Sequence, residues 1–495
     1  MDGSQVRTWG VSLLLVAVVL WAGVGAFLTD PYFPWTTVRA PYRTSIKNDG
    51  TIELVEVQPP VFRRDWFSRL TAYVRAGSRI LIYRWIPERK LGHSTAEVLA
   101  VLHDQRFQPD KPYVITGAHY SDLYVRNLGI FFNELTNEQL EQSPQDLQNR
   151  QRLALQTVAL DLAFLRANGR LVTTIAPLGG SSFTGINIYT EPSDSLYAVL
   201  FTLNKLKQAE PTRTAANSLL ADNKEVLQRE LLRYLQTVID PRTLTIRNDI
   251  HLSGARDGVK RTASFYDTVI AWQTVRLADQ LQLIPLQDWP AELQPLLDGA
   301  GWKQTIIDRY WNADKGYFIN DLSEKAGGKA DDFGSDSLVV LSTGFLDPGQ
   351  EQDRQKLERI VEHIQQNTLD RPFPLKYSTT NGQNRMHWTV KYFAPGYMGK
   401  GIWSHWGVEY VKTLLALSQT SDPAECLHLE DAREFLDLYA QNIAAFGGYP
   451  ELYGQDGKPY QTLALRSVLH SGWVVNYEAA HAALESDLRT TSCQF

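Results

Sequence analysis

Apolar residues recur at three- and four-residue spacing through most of this chain, the repeat that turns one side of an α-helix toward a core. The pattern predicts helices near 92–107, 122–137, 146–168, 194–208, 222–238, 263–284, 290–311, 333–343, 350–367, 402–419, 430–446 and 464–485. The connections between them alternate in length. Long ones fall near 108–121, 169–193, 239–262, 312–332, 368–401 and 447–463, with shorter ones such as 285–289 and 344–349 in between. Helical hairpins stacked around an axis place every second connection on the same end. Long loops on one end and short turns on the other describe an all-α fold, an (α/α)6 toroid of twelve helices over 91–495. An open solenoid is the alternative, but no fixed sequence period supports one.

The N-terminus follows a different pattern. Trp9 to Leu28 is free of charge and long enough to cross a bilayer as a helix, and Arg7 precedes it. Residues 1–28 are therefore expected to be a transmembrane helix or signal anchor. That makes the membrane a partner and puts the rest in the periplasm or outside the cell. Residues 29–90 read as a stalk and lead-in. Within them "TIELVEVQPPVF" suits a short strand, and "RDWFSRLTAYVRAGSRILIYRW" is amphipathic, fit to pack on the barrel or on the membrane surface.

A net charge of -6 leaves no basic field for nucleic acid. Thirteen Trp and 22 Tyr are plentiful; most belong to a core, and the rest suit stacking against sugars. The only cysteines, Cys426 and Cys493, form no zinc pattern. Both are expected on the short-turn end, where a disulfide is possible. No metal site is called, although the aspartates of the fourth loop permit a cation.

The long loops carry the candidate chemistry. The first ends in "GAHYSDLYVRNL", where Tyr120, Asp122 and Arg126 stand at an inner-helix start. Asp122 suits the N-cap region, and an Arg–carboxylate pair there would grip adjacent hydroxyls. The second ends near Asp194, again a cap candidate. The third offers Asp257, with Asp267 as its rival. The fifth is rich in aromatics, among them Trp388 and Trp403. The sixth, "FGGYPELYGQDGKPY", holds Glu451 after a proline and between Tyr449 and Tyr453. In a ring of six, loops three and six face each other across the axis. Two carboxylates so placed, about 6.5–9.5 Å apart, are what inverting glycoside hydrolysis uses: one protonates the leaving oxygen, the other activates water.

At these residues the chain resembles the inverting six-hairpin toroid glycosidases, the glucoamylase-like, trehalase-like and processing α-glucosidase-like families. "YSDLYVRNL" is similar to their segment at the cleavage-site sugar, with Asn127 where they often carry Asp. "RDGVKRTASFYDTVIAWQTVRLADQL" is similar to the segment bearing the general acid, although the family's Trp-Glu pair is missing. "GIWSHWGVEYVKTLL" resembles the tryptophan-bearing tenth helix, and "GGYPELYGQDGKPY" the loop with the catalytic base. The resemblance spans roughly 92–485. It implies an inverting hydrolase of an α-linked glucoside or related oligosaccharide, with no organic cofactor. Glu451 would be the base, Asp257 the acid, and Tyr120, Asp122, Arg126, Trp388, Trp403, Tyr449 and Tyr453 would bind substrate. Two other readings stay open. A polysaccharide lyase or sugar epimerase on the same toroid would draw on His119, His251, His387 or His405. A non-catalytic glycan-binding protein of the envelope would need the aromatic loops alone.

Overall fold

The computed structural model describes residues 37–46, 52–56, 83–86, 88–106, 113–115, 117, 122–130, 144–179, 182–187, 191–252, 254, 258–322, 331–381, 385–419 and 425–490. Within these the chain forms two concentric rings. The helices are α1 (Thr95–Arg106), α2 (Pro144–Asn168), α3 (Ser195–Gln208), α4 (Arg213–Val238), α5 (Phe265–Gln280), α6 (Gly299–Tyr310), α7 (Val339–Ser342), α8 (Glu351–Gln366), α9 (Trp388–Phe393), α10 (Ser404–Leu417), α11 (Glu425–Phe446) and α12 (Val474–Thr490). The inner ring runs from the 3-10 turn Val125–Leu128 through α3, α5, the turn Ser335–Leu338 with α7, and α10 to α12, each packed on the next. Helices α2, α4, α6, α8 and α11 lie outside them. The ring closes where α11 packs on α1 and Gly117 bridges Ser471.

Side-chain pattern decides which ring a helix joins. In α10 nearly every residue from Ser404 to Leu417 is buried, as suits a helix covered on all sides. In α8 only one stripe is buried, chiefly Leu357, Ile360, Val361 and Ile364, which is an outer helix facing inward.

The first outer position departs from the predicted ring. Thr95 donates to the Ala440 carbonyl near the end of α11, whereas His103 meets Asp146 at the start of α2. Helix α1 therefore descends from the loop end, opposite to the other outer helices, and Gly117 lies back at the loop end, bridged to Ser471. The helix expected over 122–137 also differs. Its described part is a short strand, Leu123–Tyr124, and one 3-10 turn.

The fold is mostly helical but not all-α. Strands β1 (Thr37–Ile46), β2 (Ile52–Glu56), β3 (Leu123–Tyr124), β4 (Thr174–Gly179) and β5 (Ser182–Asn187) form one sheet at the loop end, in the order β2-β1-β5-β4-β3. Its neighbouring strands are antiparallel, with Tyr42 opposite Phe183 and Leu123 opposite Ile175. The second long loop supplies β4 and β5, so a run read only as loop is a hairpin. Two stretches of the lead-in join that sheet, and the strand expected in "TIELVEVQPPVF" is β2. The sixth loop is longer than predicted, since α12 starts at Val474. Residues 464–473 are used instead in bridges such as Tyr449–His470 and Gln461–Arg466.

The apolar segment Trp9–Leu28 lies outside the described residues. Among those residues no helix is long and apolar enough to cross a membrane. Cys426, in the first turn of α11 at the short-turn end, is disulfide-bonded. The chain's other cysteine, Cys493, lies outside the described residues.

Candidate active site

Every inner element starts at the loop end, so its free N–H groups and the positive end of its dipole point there. Carboxylates collect where those ends converge. Asp122, Asp194, Asp267 and Asp336 are all buried, each within three residues of an inner-element start. Asp194 takes the N-cap position of α3, yet its side chain makes no capping bond and accepts from the Tyr266 hydroxyl at 3.3 Å. Asp267 belongs to its own helix start. Its N–H donates to the N-cap Ser264 Oγ at 3.1 Å, and that hydroxyl donates back to Asp267 Oδ2.

Gly254 ties three inner elements together. Its carbonyl accepts from Arg126 Nη1 at 2.9 Å, and its N–H donates to Ser193 Oγ at 3.0 Å. Its φ is +40°, and a methyl group on it would sit 2.3 Å from Arg261 Nη2 and 2.7 Å from Asp267 Oδ1. Only glycine fits. The two atoms it covers, Arg261 Nη2 and Asp267 Oδ1, have no hydrogen-bond partner among the described residues. Arg261 Nη1 donates to Asp336 Oδ2 at 2.7 Å, a pair buried on both sides. Burial works against the guanidinium charge, but Asp267 and Asp336 outweigh it, and the Arg261 pKa is raised.

The third and fifth loops are stitched together beside this cluster. Val259 bridges Met386, Lys260 N–H donates to the Arg385 carbonyl, and His387 N–H donates to the Gly258 carbonyl at 2.7 Å. Gly258 has a φ of +70°, and a side chain there would run into Val390. Arg385 in turn pairs with the buried Asp321.

On the sixth loop, Glu451 is fixed by its backbone. Its N–H donates to the Val468 carbonyl, and its carbonyl accepts both the N–H and the hydroxyl of Ser404, the first residue of α10. Trp403 pairs with Leu452 and Ile402 with Tyr453 in the short strands β6 (Ile402–Trp403) and β7 (Leu452–Tyr453). The Glu451 side chain is half-buried. Its backbone is thus clamped between the fifth and sixth loops, which accounts for the stiff, aromatic surroundings of one charged residue.

Not every predicted residue joins the cluster. Asp122 and Arg126 stand at the first inner element, as expected. Trp403 begins α10 at the loop end, but it is buried: its Nε1 donates to the Tyr397 carbonyl and its ring packs on Tyr397 and Trp473. Trp388 stays partly exposed on α9. The tyrosines beside Glu451 require correction. Tyr449 and Tyr453 are wholly buried, one stacked on Tyr439 and the other packed on Phe373, so neither hydroxyl is available to a sugar. Trp406 meets Tyr266 in a T-shaped contact between two non-adjacent inner helices, so it lies toward the axis. Asp257 and Tyr120 lie outside the described residues, as does His119. Sequence reading missed Arg261 and Gly254; the signal was a glycine and an arginine in the same loop as a candidate acid.

Among the described residues no cluster of His, Cys, Asp and Glu could hold a metal ion. No protein-family model matches the chain, and no curated protein matches it in sequence. Among solved structures it is similar to a rhamnosidase from Klebsiella oxytoca, at 11% identity and a TM-score of 0.48 over 82% of this chain and 66% of that one. It is also similar to a GH63 mannosylglycerate hydrolase from Thermus thermophilus, at 13% identity and 0.47 over 79% and 99%. The neutral trehalase of Saccharomyces cerevisiae gives 12% and 0.48 over 76% and 75%. The likeness lies in the course of the chain, not in its residues.

Proposed function

We propose that this protein is an inverting glycoside hydrolase, acting outside the cytoplasm on an α-linked glucoside or a related oligosaccharide, from a chain anchored by its N-terminal segment. Glu451 is the base that activates water. The acid is Asp257, with Asp267 as the alternative. Asp122 and Arg126 take up the sugar at the site of cleavage. The observation that carries the reading is the loop end itself: buried carboxylates and an arginine gathered at the inner N-termini, with one half-buried glutamate on the sixth loop whose backbone is bonded to the fifth loop's end. Rigid mounting suits a residue that must hold water in one position. The lyase or epimerase reading needs a base that substrate can reach. His387 and His405 are wholly buried, and His251 Nδ1 is engaged with the Arg261 carbonyl.

The test is hydrolysis of a panel of α-linked oligosaccharides by the full chain, with proton NMR of fresh product. Inversion at the anomeric carbon is expected, and Glu451→Gln should lower turnover about 10²–10⁴-fold while the protein stays folded. Retention, an unsaturated product absorbing in the ultraviolet, or an undiminished Glu451→Gln enzyme would overturn it.

A further inference from the structure

Large apolar side chains are exposed together on one part of the loop-end rim. Leu463 is 80% exposed, Tyr392 70%, Trp85 68%, Ile86 62% and Phe393 52%, with Trp388 beside them. They come from three separate stretches of chain that Thr462 joins. Its carbonyl accepts from Arg84 Nε, and its hydroxyl donates to the Phe393 carbonyl at 2.8 Å. Trp388 and Phe393 lie 6.4 Å apart, ring to ring. Leu463 sits in the turn closed by the Thr462–Leu465 hydrogen bonds, a place where polar residues are usual. Contiguous exposed apolar surface of this kind marks a contact surface.

The kind of contact follows from what surrounds it. Arg84 lies over the Trp85 ring and Lys391 over Tyr392, pairing each aromatic with a cation. Aromatic rings with flanking Arg and Lys are the composition of a membrane–water interface. The sequence just before Trp85 is strongly basic. Residues 63–89 carry seven arginines against Asp65 and Glu88, in a protein whose net charge is -6. The uncharged run Trp9–Leu28 lies upstream on the same side of the sequence. An anionic lipid surface suits both the cations and the exposed aromatic rings, whereas a second copy of this acidic protein would answer the cations alone.

We propose that the rim formed by Trp85, Ile86, Trp388, Tyr392, Phe393 and Leu463 docks on an anionic lipid bilayer, holding the loop end of the toroid against the membrane. This goes beyond the hydrolase reading and does not depend on it.

The test uses the full chain in vesicles of phosphatidylcholine and phosphatidylglycerol. The native Cys426 is tied in a disulfide, so a thiol placed at Tyr392→Cys or Leu463→Cys can be labelled with a fluorophore. A third label at Leu286→Cys marks the opposite end, where Leu286 is 70% exposed. With quencher-bearing lipid, labels at 392 and 463 should be quenched at least twofold more than the label at 286. The excess should shrink when phosphatidylglycerol is left out. Equal quenching at all three positions overturns the proposal. So does energy transfer between labels at 392 on neighbouring molecules without lipid quenching, which would assign the rim to a second copy. Protection of the label by soluble oligosaccharide alone would assign it to the substrate and likewise overturn it.

Discussion

The two ends of this toroid are built from the same helices and do different work. At the loop end the inner elements begin, and their unpaired N–H groups favour negative charge. Four buried aspartates, the Arg261–Asp336 pair and a glycine with positive φ lie there, and so does the exposed aromatic rim. At the opposite end the inner helices finish in short turns. Those turns leave single exposed leucines, Leu286 after α5 and Leu427 at the start of α11, and a disulfide at Cys426. Asp267 Oδ1 and Arg261 Nη2, without hydrogen-bond partners among the described residues, lie at the loop end, and Gln151 and Asp161 on α2 carry such atoms as well. Carboxylates gather at the loop end because the inner helices start there, although the opposite end also holds a buried pair, Arg150 with Asp146 at the start of α2.

The largest effects should therefore come from the loop end. If the acid is Asp257, Asp257→Asn should lower turnover about 10²–10⁴-fold on natural linkages. The loss should be much smaller on aryl glycosides, whose leaving groups need little protonation. Asp267→Asn should then have the lesser kinetic effect. If the two results are exchanged, Asp267 is the acid, and the roof formed by Gly254 must open for substrate to reach it.

Next comes the buried ion pair. Asp336→Leu leaves the Arg261 charge without its hydrogen-bonded partner and should cost about 3–5 kcal/mol in urea unfolding. Adding Arg261→Met should recover much of that loss. A single variant as stable as the parent would show that the loop-end charges are not held dry, and the contrast between the two ends would fail.

How much of this could be read from sequence follows the same division. The helices were legible because each inner or outer segment repeats a local rule, and α8 shows it in one stripe. The alternation of long and short connections carried the ring. What was hidden depends on distant pairing. The strand pairs that draw Thr37–Ile46 onto the second loop leave no local mark, nor does the reversed course of α1, fixed by Thr95 with Ala440 and His103 with Asp146. The site was half-legible for the same reason. Glu451 stood out as a candidate by its stiff neighbours. Yet the burial of Tyr449 and Tyr453 is settled by Tyr439 on α11 and Phe373 in the fifth loop, which no spacing around Glu451 reveals.

A smaller effect should appear with pH. His405, in the first turn of α10, is wholly buried against Trp406 and Trp473, with Asn476 Nδ2 3.2 Å from its Nδ1. Burial, then the nearby Lys412 charge, holds its pKa well below the ordinary value. In the unfolded chain it takes up a proton near pH 6.5, and in the folded protein only at lower pH. Its contribution to stability is thus complete above about pH 6.5 and is lost as pH falls toward the folded pKa, at up to about 1.4 kcal/mol per pH unit. Other groups titrate in this range, so the useful quantity is parent minus His405→Gln, measured by chemical unfolding at several pH values. That difference should decline from pH 7 to pH 5. A flat difference would mean that the loop-end histidine is accessible to water.

The smallest expected effect lies at the short-turn end. Gln282 follows α5 with a φ of +52°, and the turn is closed by Leu283 N–H donating to the Ala278 carbonyl. A left-handed backbone costs a non-glycine residue about 1–2 kcal/mol, part of which glycine gives back through its greater freedom when unfolded. Gln282 is exposed, so little packing is lost with its side chain. Gln282→Gly should therefore stabilise the protein by about 0.5–1 kcal/mol, whereas Gln282→Ala, which keeps a Cβ, should not. Turnover should be unchanged in both, because the turn lies at the far end of the wall from Glu451. A change in turnover without a change in stability would mean that the two ends are coupled through α5, whose first turn holds Asp267.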